Sequence, residues 1–327
     1  DMPLDVRLGK QVVSWGESTF IPGGISAINP FDVNALRRPG AEIKEAMLPV
    51  NMAYANVGLT ENLSAEAFYQ LESAGHALPG CGTYFSSLDF DGVGDCDRLI
   101  IVNAAYSIGR DADGNREAKS DGQFGVAFRF HSEALGNTEF GLYAMNTHDR
   151  APTFNMVKHD VDFAQVIALT GGTAAIPLFV IADTGYYMAY QEDIQMVGLS
   201  FATNVGTTAV SGEITHRMDV PLQINGDMLV EAALGGNMGT AKETVLDRHV
   251  ATNIAAGADI EGFRRFDVTQ AQVTAIKFFD RVAGASRVTF VGEAAMTFTH
   301  SFDESADAIK FGRSGIFGAP SGGANDG

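Results

Sequence analysis

Two short acidic segments carry the side chains best suited to bind a metal ion. Each alternates oxygen-bearing side chains around a glycine, an arrangement that suits Ca²⁺, which takes about six to eight oxygen ligands. The candidate ligands are Asp111, Asp113, Asn115 and Glu117 in one segment and Asp89, Asp91, Asp95 and Asp97 in the other. Ile100 and Gly122 stand where an EF-hand has its bidentate glutamate. Ca²⁺ binding and solvated acidic turns are therefore both open interpretations, and the first segment is the slightly favoured site.

The short motifs that mark common catalytic sites are absent from the sequence. It contains no G-x-S-x-G, no H-E-x-x-H, no P-loop and no Rossmann glycine fingerprint. The pairs His131–Ser132 and His148–Asp149 are adjacent in the chain, but no third partner is evident from sequence. We therefore expect a protein that is not an enzyme. A less favoured alternative is a lipid hydrolase whose catalytic residues come from separate strands.

Residues 10–42 hold the densest group of other candidate functional side chains. The segment begins with strand-like alternation and then becomes rich in glycine, proline and asparagine. It contains the only tryptophan of the chain and ends on an arginine pair. The candidate gate or binding residues in it are Trp15, Glu17, Asn29, Asn34, Arg37 and Arg38.

Alternation with a period of two recurs along the chain and predicts antiparallel strands of about 9 to 12 residues. In residues 124–131, phenylalanine and valine share one face, while glycine, alanine, arginine and histidine share the other. Short turns such as 60–63 and 204–206 alternate with long acidic loops such as 74–98, 109–122 and 226–262. A soluble sandwich normally has shorter strands, whereas a membrane barrel uses about 9 to 11 residues and turns its apolar face to lipid. The predicted fold class is therefore all-β, an antiparallel transmembrane β-barrel with few short helices.

The polar strand faces of such a barrel would line its interior, which is either open or filled. The charged and amide side chains placed there by alternation are Arg7, Gln11, Glu66, Gln70, Arg129, Glu213, Arg217, Arg287 and Glu293. The irregular backbone of residues 15–46 cannot face lipid, because unsatisfied peptide groups are costly there. We expect it to fold inward, as a constriction or plug or as a loop clamped by Arg–carboxylate pairs. Trp15 fits either an aromatic belt at the membrane interface or the interior wall.

Composition restricts the class of partner and compartment. The net charge of −18 argues against a basic surface for nucleic acid or anionic headgroups. Cys81 and Cys96 are too sparse for a zinc site and are interpreted as a disulfide that closes the loop at 74–98. The uncharged segment 163–182 is long enough to span a membrane, but glycines and a proline interrupt it. We expect there a short helix or strand, a glycine turn and then a strand.

Several irregular motifs occur in an order that resembles a known family. They are "VRLGKQVVSWGES", "GISAINPFDVNALRRPGAEIKEAMLPV", "LTENLSAEAFYQLE", "LPGCGTYFSS" and "EITHRMDVPLQING". Together they resemble the proteobacterial outer-membrane family known as domain of unknown function 1302. The resemblance implies a β-barrel in the bacterial outer membrane. It also implies that residues 1–327 form one barrel domain that is incomplete at both ends, since family members are longer.

Members of that family are often encoded beside genes for lipid-exporter-like proteins and for the handling of hydrophobic compounds. The resemblance therefore implies that the chain transports or binds hydrophobic or amphipathic small molecules such as lipids. The alternative is a structural or assembly protein with a filled interior and Ca²⁺-binding external loops. Its partners would be further copies of the chain or other envelope proteins.

Overall fold

A computed structural model describes residues 2–26, 28–84, 97–100, 106–234, 254–282, 284–302 and 309–311. Strands make up most of this part of the chain. In chain order they are β1 (Leu4–Gln11), β2 (Val50–Gly58), β3 (Leu63–Gln70), β4 (Arg98–Ile100), β5 (Ser107–Arg110), β6 (Phe124–Ser132), β7 (Thr138–Thr147), β8 (Thr153–Val157), β9 (Gly185–Ala189), β10 (Ile194–Val205), β11 (Thr208–Gln223), β12 (Asp259–Ile260), β13 (Phe263–Asp280) and β14 (Arg287–Thr299).

Nine strands form one antiparallel sheet, here called the large sheet, in the order β1-β2-β3-β6-β7-β10-β11-β13-β14. The predicted antiparallel, mainly β class is thus confirmed. The predicted closure into a barrel is not seen, because closure requires the two edge strands to share a hydrogen-bonded register. Within the described residues β1 pairs only with β2 and β14 only with β13, so the large sheet is open.

In the large sheet the apolar face is exposed and the polar face is covered, which is the reverse of a soluble sandwich. Phe128, Leu142, Leu199 and Ile214 lie side by side on four neighbouring strands, and all four are exposed. The exposed fraction is 43% at Phe128 and 55% at Leu199. The opposite face is rich in Glu, Gln, Thr and Gly and is largely buried. Alternation along each strand produces both faces, because successive side chains point to opposite sides.

The two ends of the large sheet differ in the length of their connections. At one end, turns of two to six residues join β2 to β3, β6 to β7, β10 to β11 and β13 to β14. The other end, here called the long-connection end, carries the segments 12–49, 71–123, 148–193 and 224–262. Short turns at one end and long connections at the other are typical of outer-membrane strand topology.

The last three long connections build a smaller sheet in the order β12-β8-β9-β5-β4. In this sheet β5 and β9 run parallel, and the other pairs are antiparallel. Its apolar side chains form a separate core that includes Met156, Val180, Tyr186 and Leu229. Unlike the large sheet, this unit buries its apolar residues, as a water-exposed domain does.

Short helices lie within the connections. They are α1 (Val33–Leu36), α2 (Ile43–Ala46), α3 (Phe163–Thr170), α4 (Ile176–Asp183) and α5 (Gly226–Ala233). The uncharged segment 163–182 forms α3 and α4, so the expected strand after its glycine turn is wrong. Gly171, with φ 74°, ends α3 in the left-handed conformation. Among the described helices, none has the length and apolarity needed to cross a bilayer.

Candidate functional site at the covered polar face

The segment that joins β1 to β2, here called the insert (residues 12–49), lies on the polar face of the large sheet. Trp15 is 1% exposed, and Ile25 is fully buried. Both belong to a cluster that also contains Phe68 and Tyr143 of the sheet. The Trp15 ring packs edge-on against Phe68 at 5.1 Å between centroids. Trp15 is therefore an interior residue, and the aromatic-belt interpretation of it is wrong.

Glu66 links Trp15 to the charged side chains of the sheet. Its Oε2 accepts hydrogen bonds from Trp15 Nε1 at 2.6 Å and from the Tyr54 hydroxyl at 2.8 Å. Its Oε1 accepts from Arg129 Nε at 2.7 Å. Arg129 also donates from Nη1 to Glu139 at 2.8 Å. The predicted interior residues Trp15 and Arg129 are thus brought together through one carboxylate, and Arg129 is held by two ion pairs.

Glu213 on β11 binds the backbone of the insert. Its Oε2 accepts from the Glu17 N–H at 2.7 Å, and its Oε1 accepts from the Ile25 N–H at 3.1 Å. Gln272 donates to Oε1 at 2.9 Å from the next strand. A buried carboxylate needs several donors to replace its hydration. Here the donors come from both the insert and the sheet, so Glu213 fixes the insert onto the sheet.

Two glycines allow the insert to approach Glu213 this closely. Gly16 and Gly24 both have positive φ, at +79° and +61°. A Cβ added at either position would collide with the Glu213 carboxylate. The backbone therefore needs glycine at both positions for conformation and for space.

Glu293 on β14 is a second backbone clamp. Its two oxygens accept from the N–H groups of Thr19, Phe20 and Ile21 at 2.8, 2.7 and 2.6 Å. The Thr274 hydroxyl donates to the same carboxylate at 2.9 Å. Three successive N–H groups that converge on one anion form a concave anion-binding turn. Glu293 was expected on the interior face by alternation, but its partners in the insert have no signature in the sequence.

The side chains of Glu17 and Asn29 have different roles. Burial raises the pKa of the Glu17 carboxyl, and Lys44 and Arg129 oppose this shift. Asn29 accepts from the Val13 N–H at 3.0 Å and donates to the carbonyls of Gln11 and Leu48 at 3.1 and 2.9 Å. Asn29 therefore fastens the beginning of the insert to its end.

The predicted residues Asn34, Arg37 and Arg38 are not part of this cluster. They lie on and after α1, and all three are exposed. Asp32 caps that helix by accepting from the Asn34 N–H at 2.8 Å. Arg37 and Arg38 are therefore not buried Arg–carboxylate pairs, whereas the pair of Arg129 with Glu66 contacts the insert through Trp15. The clamps are glutamate side chains of the sheet that accept from backbone N–H groups, because the insert presents its peptide groups rather than its arginines to the polar face.

Arg150, which was not predicted, anchors the insert at the long-connection end. It is 4% exposed, and its Nη2 donates to the Ile28 carbonyl and to Gln70 Oε1, both at 2.7 Å. Its Nη1 donates to the Ala74 carbonyl at 3.2 Å. Arg150 lies in a loop beyond β7, where no periodic pattern signals burial. Sequence reasoning therefore had no means of finding it.

His76 completes this anchor. Its Nδ1 accepts from the Phe31 N–H at 3.1 Å, and the imidazole and Phe31 rings pack with their centroids 3.7 Å apart. Burial, with a smaller contribution from Arg150, lowers the pKa of His76 to about 4. The imidazole is consequently neutral near pH 7, as its acceptor role requires.

Arg217 lies on the same face, close to the long-connection end. On β11 it is paired in register with Met196 of β10 and Val268 of β13. Unlike Arg129, it contacts neither the insert clamps nor a carboxylate among the described residues. Of the predicted interior arginines, Arg7, Arg129 and Arg287 form ion pairs, whereas Arg217 forms none with a described residue.

The predicted Ca²⁺ ligands of the favoured acidic segment, Asp111 to Glu117, do not converge. In the described part of the chain there is no group of three acidic, histidine or cysteine side chains that could hold a metal. Asp113 and Glu117 are exposed, while Asn115 Oδ1 accepts from Arg110 Nη1 at 2.7 Å and from the Met188 N–H at 3.2 Å. Asn115 Oδ1, the amide oxygen of the predicted set, thus holds β5 and β9 rather than converging with the carboxylates.

The remaining predictions fall partly outside the described residues. Asp89, Asp91, Asp95 and Cys96 lie there, so neither the other acidic segment, Asp89 to Asp97, nor the pairing of Cys81 with Cys96 is described. Asp97 is described and exposed.

His148, one of the two histidines singled out in the sequence, holds the backbone of its loop. The two ring nitrogens of His148 contact the Asp121 carbonyl at 2.8 Å and the Asp193 N–H at 3.2 Å. Both are thus occupied by backbone groups, and the ring supports the loop rather than acting as a base.

The chain was compared with known proteins. The family described as "Protein of unknown function (DUF1302)" matches residues 1–325. Neither the curated proteins nor the solved structures contain a match.

Proposed function

The chain belongs to the DUF1302 family, and we propose that it is a bacterial outer-membrane protein that binds or transports a hydrophobic or amphipathic small molecule such as a lipid. In this proposal the large sheet is part of a β-barrel wall, and the insert is the gate of its interior. The observation that carries the proposal is the inverted large sheet, which exposes Phe128 and Leu199 and buries Glu66 and Glu213.

The exposed apolar face is the first line of support. Soluble proteins rarely expose contiguous apolar patches larger than a few hundred Å². Here the apolar row through Phe128, Leu142, Leu199 and Ile214 crosses four strands, and neighbouring rows add Val126 and further aromatic residues. Strand β10 has 12 residues, enough to cross a bilayer when tilted. Lipid is the solvent that suits such a face.

The way in which the insert is held is the second line of support. Its contacts to Glu66, Glu213 and Glu293 are hydrogen bonds to carboxylates, each worth about 1.5–3 kcal/mol. Water or a ligand can replace such bonds one by one. A gate on the polar face can therefore open while the strands of the wall remain paired.

Bilayer recordings with the full-length protein test the gate. We expect the double variant Glu213→Gln and Glu293→Gln to raise both ionic conductance and the flux of a fluorescent fatty acid into liposomes. The matched control is Asp280→Asn, because Asp280 pairs with Arg287 at 3.0 Å and lies far from the insert. Fluxes that are equal to those of empty liposomes for all three proteins would contradict the proposal. Heat-modifiable migration on gels checks the barrel itself.

A structural or assembly role is the second candidate, and the packing of the insert favours it. Trp15, Ile25 and Ile28 are almost fully buried against the sheet, as expected of a permanently filled interior. In that case the partners are further copies of the chain or other envelope proteins. No flux in any variant, together with co-purification of a stable complex, would favour this candidate.

A further inference from the structure

Arg217 differs from Arg129 and Arg150 because its side chain has no hydrogen bond or ion pair to any described residue. Its Nε is enclosed without a hydrogen-bond partner, as is the Nε of Arg150, but in Arg150 the two other nitrogens of the guanidinium are bonded. The Arg217 side chain forms no ion pair with any described residue, although the residue as a whole keeps partial exposure. A guanidinium withdrawn from water normally has carboxylate or carbonyl partners. An unpartnered one is a position where an anion from outside the chain would be stabilised.

Arg129 and Arg150 show how ion pairs and hydrogen bonds hold a guanidinium near this face. Arg129 has Glu66 and Glu139 as ion-pair partners. Arg150 donates to two carbonyls and to Gln70. Asp149 is the carboxylate whose charge acts on Arg217, but the two side chains form no ion pair. Asp149 Oδ1 instead accepts from the Ala151 N–H at 3.1 Å. Among the described residues, carboxylates thus form ion pairs with Arg129, whereas Arg217 has only the longer-range attraction of Asp149.

Apolar side chains surround Arg217 along the strands. Met196 and Val268 flank it in register, and Val268 belongs to a buried cluster with Ile194 and Val220. This setting favours a ligand that brings apolar surface together with its charge, since a free hydrated anion would lose its water without compensation.

An aromatic cluster continues the apolar surface. Phe266 pairs with Val220 and precedes Val268 by two residues, so it lies on the same strand face. Its ring packs against Phe302 at 5.8 Å and Phe311 at 5.2 Å, and Phe302 is partly open to solvent. A cation and an accessible aromatic surface therefore lie next to each other at the long-connection end.

We propose that Arg217 binds the carboxylate or phosphate head of an anionic amphiphile whose apolar chain lies along the accessible part of the phenylalanine cluster, at Phe302. A guanidinium matches either oxyanion with two parallel hydrogen bonds. The proposal rests on the proposed function and deepens it, because it names the charge and shape of the ligand and assigns its head to one residue.

Equilibrium binding of radiolabelled dodecanoate to the full chain in a neutral maltoside detergent tests this assignment. We expect Arg217→Gln to weaken dodecanoate binding about tenfold or more, the effect of losing a charged hydrogen bond. Arg217→Lys keeps the positive charge but loses the planar guanidinium that donates two parallel hydrogen bonds. Its affinity for dodecanoate should therefore fall between those of the wild type and Arg217→Gln. Arg287→Gln is the matched control, since Arg287 lies on the same face by alternation but is paired with Asp280. Only variants with wild-type Trp15 emission are compared, which excludes misfolded protein.

Competing ligands separate the possible outcomes. Dodecyl phosphate should displace dodecanoate, while dodecanol, acetate and inorganic phosphate at equal concentration should not. Displacement by inorganic phosphate would show a site for free anions and overturn the proposal. Equal binding of dodecanol and dodecanoate, unaffected by Arg217→Gln, would overturn it while leaving the proposed function intact. If wild-type protein bound none of the amphiphiles, the proposed function itself would fail.

Discussion

At the scale of single residues, glutamates of the sheet hold the insert through its backbone. Glu213 and Glu293 together receive five N–H groups of residues 17–25. Because the bonds go to peptide groups, most insert side chains could change without loss of the clamp. The exceptions are the positions where a side chain would displace the carboxylate.

Gly16 and Gly40 provide a matched pair for this point. Both have φ near +79°, but Gly40 has open space around it, whereas a Cβ at Gly16 would collide with Glu213. Alanine costs about 1–2 kcal/mol in the left-handed region at either position. Gly16→Ala should lose about 1–3 kcal/mol more from overpacking. Urea unfolding followed by Trp15 emission measures the difference, and equal losses at the two positions would contradict the clamp.

His76 should make the anchor of the insert sensitive to acid. Its pKa is about 4 in the folded protein, below the ordinary value of 6.5, so the unfolded chain binds the proton first as the pH falls. The contribution of neutral His76 to the free energy of unfolding is therefore complete above pH 6.5. It is lost progressively towards pH 4, by on the order of 2 kcal/mol. His76→Gln, which can still accept from Phe31, should remove this part of the pH dependence. Unfolding midpoints of both proteins from pH 7 to 4 test it; parallel curves would exclude His76 as the cause.

At the scale of elements, each strand of the large sheet carries two surfaces with opposite requirements. On β10, Leu199 lies on the exposed apolar face, whereas its neighbour Ser200 is buried on the polar face and contacts the Tyr143 hydroxyl at 3.1 Å. The local pattern of such a strand is visible in sequence, which is why the strand at residues 124–131 and the turn at 204–206 were predicted. The partners of its polar face are not.

Charge on the apolar face should be tolerated only near its ends. Leu199→Arg places a guanidinium in the middle of β10, where lipid contact would make it cost about 2–4 kcal/mol. Val205→Arg, at the exposed turn end of the same strand face, is the control. Folding into lipid vesicles of increasing thickness, followed by heat-modifiable migration, should separate the two. Equal yields would argue that this face does not meet lipid.

At the scale of the whole molecule, sequence predicted what depends on near neighbours. The antiparallel strands, the short turns and the position of the irregular segment all follow from periods of two and from glycine and proline. The site depends on contacts between residues far apart in the chain, such as Trp15 with Glu66 and Ile28 with Arg150. Periodicity contains no information about these pairs. The smaller sheet was missed for the same reason, because it is assembled from three separate connections.

The clamp at Glu293 has a consequence for the order in which the protein forms. Thr19 and Glu293 are separated by 274 positions, whereas the strands of the large sheet pair with their successors. Local pairs form before distant ones, because loop closure costs entropy. Neighbouring strands of the large sheet can therefore pair before residues 19–21 of the insert bind Glu293 on β14. Protection of the Thr19, Phe20 and Ile21 amides from hydrogen exchange should lag behind that of the strands during refolding, and Glu293→Gln should remove it without slowing the strands. The insert would thus reach its final contacts only after β14 has joined the sheet.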